Sequence, residues 1–134
     1  MNKNEKLSVT LENGVKRITF NNPARRNAVD FEMFAAFAEA IDEAGRDASR
    51  VVVITGADDA FCAGLDLTSL SAGELASLDV AAKIRELINP PVLQMRALGK
   101  PVIARVPGPV GGIGFSYVLA SDVCIASENA TFSQ

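Results

Sequence analysis

An α/β fold built on parallel strands is what this sequence predicts, and three stretches carry the prediction. Leu7–Glu12 and Val15–Phe20 alternate apolar and polar side chains around Asn13-Gly14, the pattern of a hairpin. Val51–Thr55 is an unbroken β-branched run, as expected of a strand covered on both faces in a parallel sheet. Lys100–Asp122 passes from a buried strand, Pro101–Val106, through Pro107-Gly108-Pro109 into a short apolar helix that opens with Gly111, Gly112 and Gly114. Strand and helix patterns alternate throughout, which requires right-handed crossovers.

Taken in order, the hairpin ends at Asn21-Asn22-Pro23, and Ala24-Arg25-Arg26-Asn27 forms a basic loop. Adjacent arginines suit a solvated surface, and they equally suit a phosphate-bearing ligand. Asp30 is placed to cap a helix running to Ala44, with Phe34, Phe37 and Ile41 on its buried face and Gly45 ending it. After the strand Val51–Thr55 comes a loop, Gly56–Leu67, whose small residues Ala63 and Gly64 leave backbone N–H groups accessible. Asp66 is suited to cap a helix starting near Leu67. Ser71–Ile88 carries a second helical stripe of Leu75, Leu78, Ala81, Ile84 and Ile88, which Asn89-Pro90-Pro91 is expected to break. A further helix from Pro91 to Gly99, the strand Pro101–Val106 and a last strand Asp122–Ala126 complete the reading.

Composition narrows the function classes. The chain has 134 residues, 49% hydrophobic and 22% charged, the makeup of one globular domain spanning 1–134. A net charge of -3 leaves no electrostatic footprint for nucleic acid. No apolar run has bilayer-crossing length, and the polar start MNKNEK is not a signal peptide, so a cytoplasmic setting and no membrane partner are expected. Cys62 and Cys124 lack CxxC spacing and are expected to be buried free thiols. Histidine is absent, which removes Ser-His and Cys-His dyads and every His-based metal site; no metal is expected. Acid–base work falls to carboxylates, lysine, tyrosine or groups outside the chain.

The glycine-rich turn at Gly112 fails the dinucleotide fingerprint, because Tyr117 stands where Gly or Ala is needed. Neither a phosphate-binding GxxxxGK[ST] nor a GxSxG nucleophile motif occurs. What remains is two glycine-containing loops, each following a buried strand and preceding a helix, and so able to share one edge of a parallel sheet. Converging N–H groups from two such loops would hold a developing oxyanion. A plain pair of turns between core elements has the same spacing.

The segments FCAGLDLTSL and KPVIARVPGPVGGIGFSYVLASDVCIASENATFSQ, with NNPARRNAVD near the start, closely resemble the enoyl-CoA hydratase/isomerase (crotonase) superfamily across nearly the whole chain. The resemblance implies a spiral of ββα turns, an acyl-CoA thioester as ligand and catalysis through an oxyanion-stabilised enolate. Coenzyme A then arrives as part of the substrate, and no separate cofactor is implied. By the same resemblance the oxyanion-hole amides fall on Leu65 and Ile113. The substrate-binding surface falls on Ala24, Arg25, Arg26 and Ala28, on Ala63, Gly64, Asp66 and Leu67, and on Gly112.

Two departures from the family pattern shape the expectation. Hydratases of the family carry a glutamate shortly after the glycine turn, and the aligned catalytic position here is Ser116. Two-carboxylate hydration is therefore disfavoured, and GPVGGIG is similar to the branch that shifts a double bond of enoyl-CoA. The family's second catalytic acid lies just beyond the position matching Gln134. The resemblance thus implies an incomplete N-terminal spiral domain, its C-terminal part absent, including the helices that support homotrimers. A non-catalytic acyl-CoA-binding module is the alternative that the missing acid suggests. Ser116 as a protease nucleophile lacks a histidine partner.

Overall fold

The computed structural model of the chain describes residues 5–134. The first four residues of the polar start lie outside the described residues. Strands β1 (Leu7–Glu12) and β2 (Val15–Phe20) form the expected hairpin, antiparallel with Leu7 opposite Phe20 and Glu12 opposite Val15. Asn13 and Gly14 both adopt positive φ, which matches the twist of the flanking strands. A single 3-10 turn, Pro23–Arg25, leads to helix α1 (Phe31–Ala44). Its N-cap is Asp30, whose Oδ1 accepts the Met33 N–H at 2.9 Å while Oδ2 accepts the Lys6 ammonium at 2.6 Å. Strand β3 (Val51–Gly56) then lies parallel to β2.

Four short helical pieces follow: α2 (Ala72–Ala76), α3 (Val80–Lys83), a wide π turn (Ile84–Ile88) and α4 (Asn89–Ala97). The chain closes with β4 (Val102–Val106), β5 (Val110–Gly111), α5 (Ile113–Ala120), β6 (Val123–Ala126) and β7 (Phe132–Ser133). The main sheet runs β1-β2-β3-β4-β6, with every pair after the hairpin parallel, and β5 pairs with β7 in a separate two-stranded sheet. Among the described residues no helix is long and apolar enough to cross a membrane.

One face of the main sheet carries the core. Ile18, Phe20, Val52, Ile54, Val102 and Ala104 are fully buried there with Phe34, Phe37 and Ile41 of α1 and Tyr117 of α5. Phe20 is the hub of the aromatic cluster, with ring centroids 5.3 Å from Phe37, 5.9 Å from Phe61 and 5.8 Å from Tyr117. Residues of the other face, Arg17, Val53 and Ile103, stay half-buried or exposed. On β3 that second face is half-buried at Val51 and Val53 and buried at Thr55, so among the described residues it is only partly covered. Cys62 is buried as expected, whereas Cys124 is exposed on β6, the edge strand of the main sheet among the described residues.

The stretch from Ser71 departs most from expectation. Instead of one amphipathic helix, Ser71 and Asp79 each cap a separate short piece, and Leu75, Val80 and Ile84 remain exposed. Asn89-Pro90-Pro91 does not end the helical run. A proline ring normally collides with the carbonyl four residues back. Here that carbonyl lies in the π turn, whose wider coil carries the Asn89 N–H to Ile84 and lets both prolines start α4.

A partly buried ion cluster ties α1 to the sheet. Lys16, only 3% exposed, donates to Asp47 at 2.9 Å and Glu43 at 3.3 Å. Burial opposes ionisation of Asp47, but hydrogen bonds from Ser49 and Lys16 more than offset it and hold the carboxyl far below its ordinary value. A depressed folded-state value stabilises the fold fully above the ordinary 3.8 of the unfolded chain and is lost as pH falls below it. Acid melts should therefore show the midpoint dropping below about pH 4, with a shallower acid limb in Asp47→Asn. Parallel acid limbs in the two proteins would remove this role.

Candidate functional site

Three loops meet at the end of the parallel strands. The Val29 N–H donates to the Gly64 carbonyl at 2.8 Å, and the Asp66 N–H donates to the Val29 carbonyl at 2.9 Å. This short parallel bridge draws the basic loop 22–28 against Gly64–Asp66. A second bridge, Cys62 beside Val110, carries the Gly111 N–H to the Cys62 carbonyl at 2.8 Å. Gly64 and Gly112 consequently touch: a methyl added at Gly112 would sit 3.4 Å from the Gly64 α-carbon.

Both glycines hold positive φ, +108° at Gly64 and +52° at Gly112, conformations that a side chain strains. Among the described residues, neither the Leu65 nor the Ile113 N–H donates to any backbone carbonyl. The Leu65 amide is left over because Val29 pairs with the residues on either side of it, and an extended backbone points alternate N–H groups to opposite edges. The Ile113 amide is left over because α5 begins there, at the positive end of its dipole. Two unpaired donors on adjoining turns suit negative charge developing on a carbonyl oxygen.

Other expected residues are placed as follows. Ala63 and Leu67 are exposed on the rim, and Ala28 is buried behind Gly64. Ala24, Arg25 and Arg26 lie exposed on the 3-10 turn, with Arg26 left-handed. Ser116 is half-buried on the first full turn of α5. Asp66 caps no helix. Its Oδ1 instead accepts the Thr68 N–H at 3.0 Å and the Thr68 hydroxyl at 2.6 Å, because the chain turns sharply before α2 begins at Ala72. Those bonds, against a smaller opposing effect of burial, keep its carboxyl below the ordinary range.

A model of the enoyl-CoA hydratase/isomerase family matches residues 10–134. The chain belongs to that family. Its relatives include the mouse peroxisomal enoyl-CoA delta isomerase 3, 36% identical over 94% of this chain and 40% of the relative. The Escherichia coli 1,2-epoxyphenylacetyl-CoA isomerase is 36% identical over 91% of this chain and 47% of its own length. A crystal structure of an enoyl-CoA hydratase from Mycobacterium avium subsp. paratuberculosis superposes with a TM-score of 0.86 at 34% identity, covering 98% of this chain and 51% of that one. This member of the enoyl-CoA hydratase/isomerase family thus spans about half the length of the relatives it matches. Its α/β architecture is the crotonase-type fold expected from the sequence.

Asn27 is a residue the sequence reading passed over. Fully buried and left-handed, it donates through Nδ2 to the Ala57 and Ala60 carbonyls, each at 2.9 Å, and accepts the Asn22 N–H at 2.9 Å. It locks the basic loop to the loop that carries Leu65. Asparagine tolerates left-handed backbone, so its place in Asn22–Asn27 is the one signal that pointed to it.

Proposed function

We propose that this chain supplies the oxyanion-binding half of an enoyl-CoA isomerase, acting on acyl-CoA thioesters through an enolate. The observation that supports it is the pair of unpaired amides, Leu65 and Ile113, on touching glycine turns. In a double-bond shift a proton leaves one carbon and returns to another, while charge gathers on the thioester oxygen. Each donor aimed at that oxygen is worth about 3–4 kcal/mol in the transition state. Ser116, where a second carboxylate would serve hydration, favours isomerisation. The 3-10 turn with Arg25 and Arg26 faces solvent beside this site and fits the phosphates of coenzyme A. A cytoplasmic homo-oligomer without metal or separate cofactor completes the proposal.

The test is a coupled assay with 3-enoyl-CoA and 2-enoyl-CoA on the protein that carries this chain. Faster conversion of 3-enoyl-CoA is the expected result, and faster hydration of 2-enoyl-CoA overturns the preference. A non-catalytic acyl-CoA-binding role has one observation in its favour. The carboxylate on the first turn, Asp66, is engaged by Thr68, while Asp122 lies at the far end of β4, where it accepts the Val102 N–H at 2.8 Å. Calorimetric binding of a CoA thioester with no turnover of either substrate selects that role.

A further inference from the structure

Cys62 touches both turns at once. Its carbonyl accepts the Gly111 N–H at 2.8 Å, two residues before Ile113. Its thiol faces the Gly64 amide, one residue before Leu65. Helix α5 seats its first turn directly on this residue: a methyl added at Gly114 would lie 2.7 Å from the Cys62 carbonyl oxygen, 2.8 Å from its Cβ and 3.0 Å from its Sγ. One turn further along α5, the buried Tyr117 leaves its hydroxyl without a hydrogen-bond partner. The Cys62 side chain meets α5 at Gly114 by close packing, so its shape sets that contact.

We propose that Cys62 is a positioning residue, whose side-chain volume fixes the separation of the Leu65 and Ile113 amides. The proposal rests on the oxyanion reading above. Burial, against a smaller opposing hydrogen bond from the Gly64 amide, pushes this thiol up to about 12, so it stays protonated and serves as a spacer rather than a nucleophile. A larger, branched side chain at 62 has to push α5 outward, because interiors are close-packed. A smaller one lets the two loops settle together. Either change moves one donor relative to the other, and misplacement by a fraction of an ångström costs rate without removing binding.

The experiment compares Cys62→Val, Cys62→Ala and Cys62→Ser in the protein that carries this chain. Steady-state kinetics with 3-enoyl-CoA are read beside the infrared carbonyl stretch of bound hexanoyl-CoA labelled with carbon-13 at the thioester. Cys62→Val should lower kcat about tenfold or more with KM changed less than about threefold, and should return the stretch toward its value in water. Cys62→Ala should shift both in the same sense, and Cys62→Ser, nearest in shape, should restore most of each. Wild-type kcat and carbonyl frequency in a folded Cys62→Val overturn the proposal. If that variant does not fold, the same two values in Cys62→Ala overturn it. A wild-type protein that leaves the bound stretch unshifted defeats the oxyanion reading itself, which is a different failure.

Discussion

Gly112→Ala should lower kcat on 3-enoyl-CoA by about two orders of magnitude while leaving KM within a few-fold. At φ +52° and ψ -127° this backbone is open to glycine and costs an alanine about 1–3 kcal/mol. The new methyl would meet the Gly64 α-carbon at contact distance, 3.4 Å, so the cost lies in the backbone conformation. Relief comes by rotating the peptide between Gly112 and Ile113, which swings the Ile113 N–H away from its present direction. Ground-state binding is spread over the remaining surface, so the loss falls on the step in which oxygen gains charge. Urea denaturation run alongside separates that loss from unfolding. Full turnover in a variant of wild-type stability would strip Ile113 of its assigned role.

Phe20→Ala should cost about 3–5 kcal/mol of stability, read as the shift in the urea midpoint at unchanged slope. The ring is fully buried and meets three other aromatic rings, so its removal leaves a cavity at the junction of β2, α1 and α5. Thr10→Ala, on the exposed side of β1, is the control and should stay within about 0.5 kcal/mol. A shift below about 1 kcal/mol at Phe20 would mean that neighbouring rings collapse into the space, and that the cluster is looser than its geometry implies.

The first half of the fold was legible because its signals are local. Asn13-Gly14 with flanking alternation marks the hairpin, and Asp30 marks the start of α1, each at the residue where the structure has it. Between Ser71 and Ala97 the hydrophobic period was present but misleading. Periodicity says which residues share a face and says nothing of whether anything lies against that face, and Leu75, Val80, Ile84 and Leu93 are exposed. The π turn that admits Pro90 and Pro91 is a hydrogen-bond pattern that no side chain announces. Burial of the strands was half-read for a similar reason: β-branched runs signal a parallel sheet, not how many of its faces are covered.

At the site, the glycines and the accessible amides they suggest were visible, and the pairing pattern that frees those amides was not. Gly64 and Gly112 matter because each holds a positive φ beside an unpaired amide, and that juxtaposition is a property of backbone geometry. Asp66 illustrates the opposite limit. An aspartate before a polar stretch caps a helix or closes a tight turn with equal ease, and Thr68 two residues on decides for the turn.

The pairing of β5 with β7 reaches further than its two residues suggest. The Gly112 N–H donates to the Ser133 carbonyl at 3.2 Å, the Val110 N–H to Thr131 at 2.8 Å, and the Phe132 ring packs on Phe115 with centroids 5.7 Å apart. The glycine turn is thus moored by a strap some twenty residues downstream of it. Proteolytic nicking ahead of Thr131, or a purification tag that drags on this strap, would slacken the turn while leaving every residue of the turn itself intact.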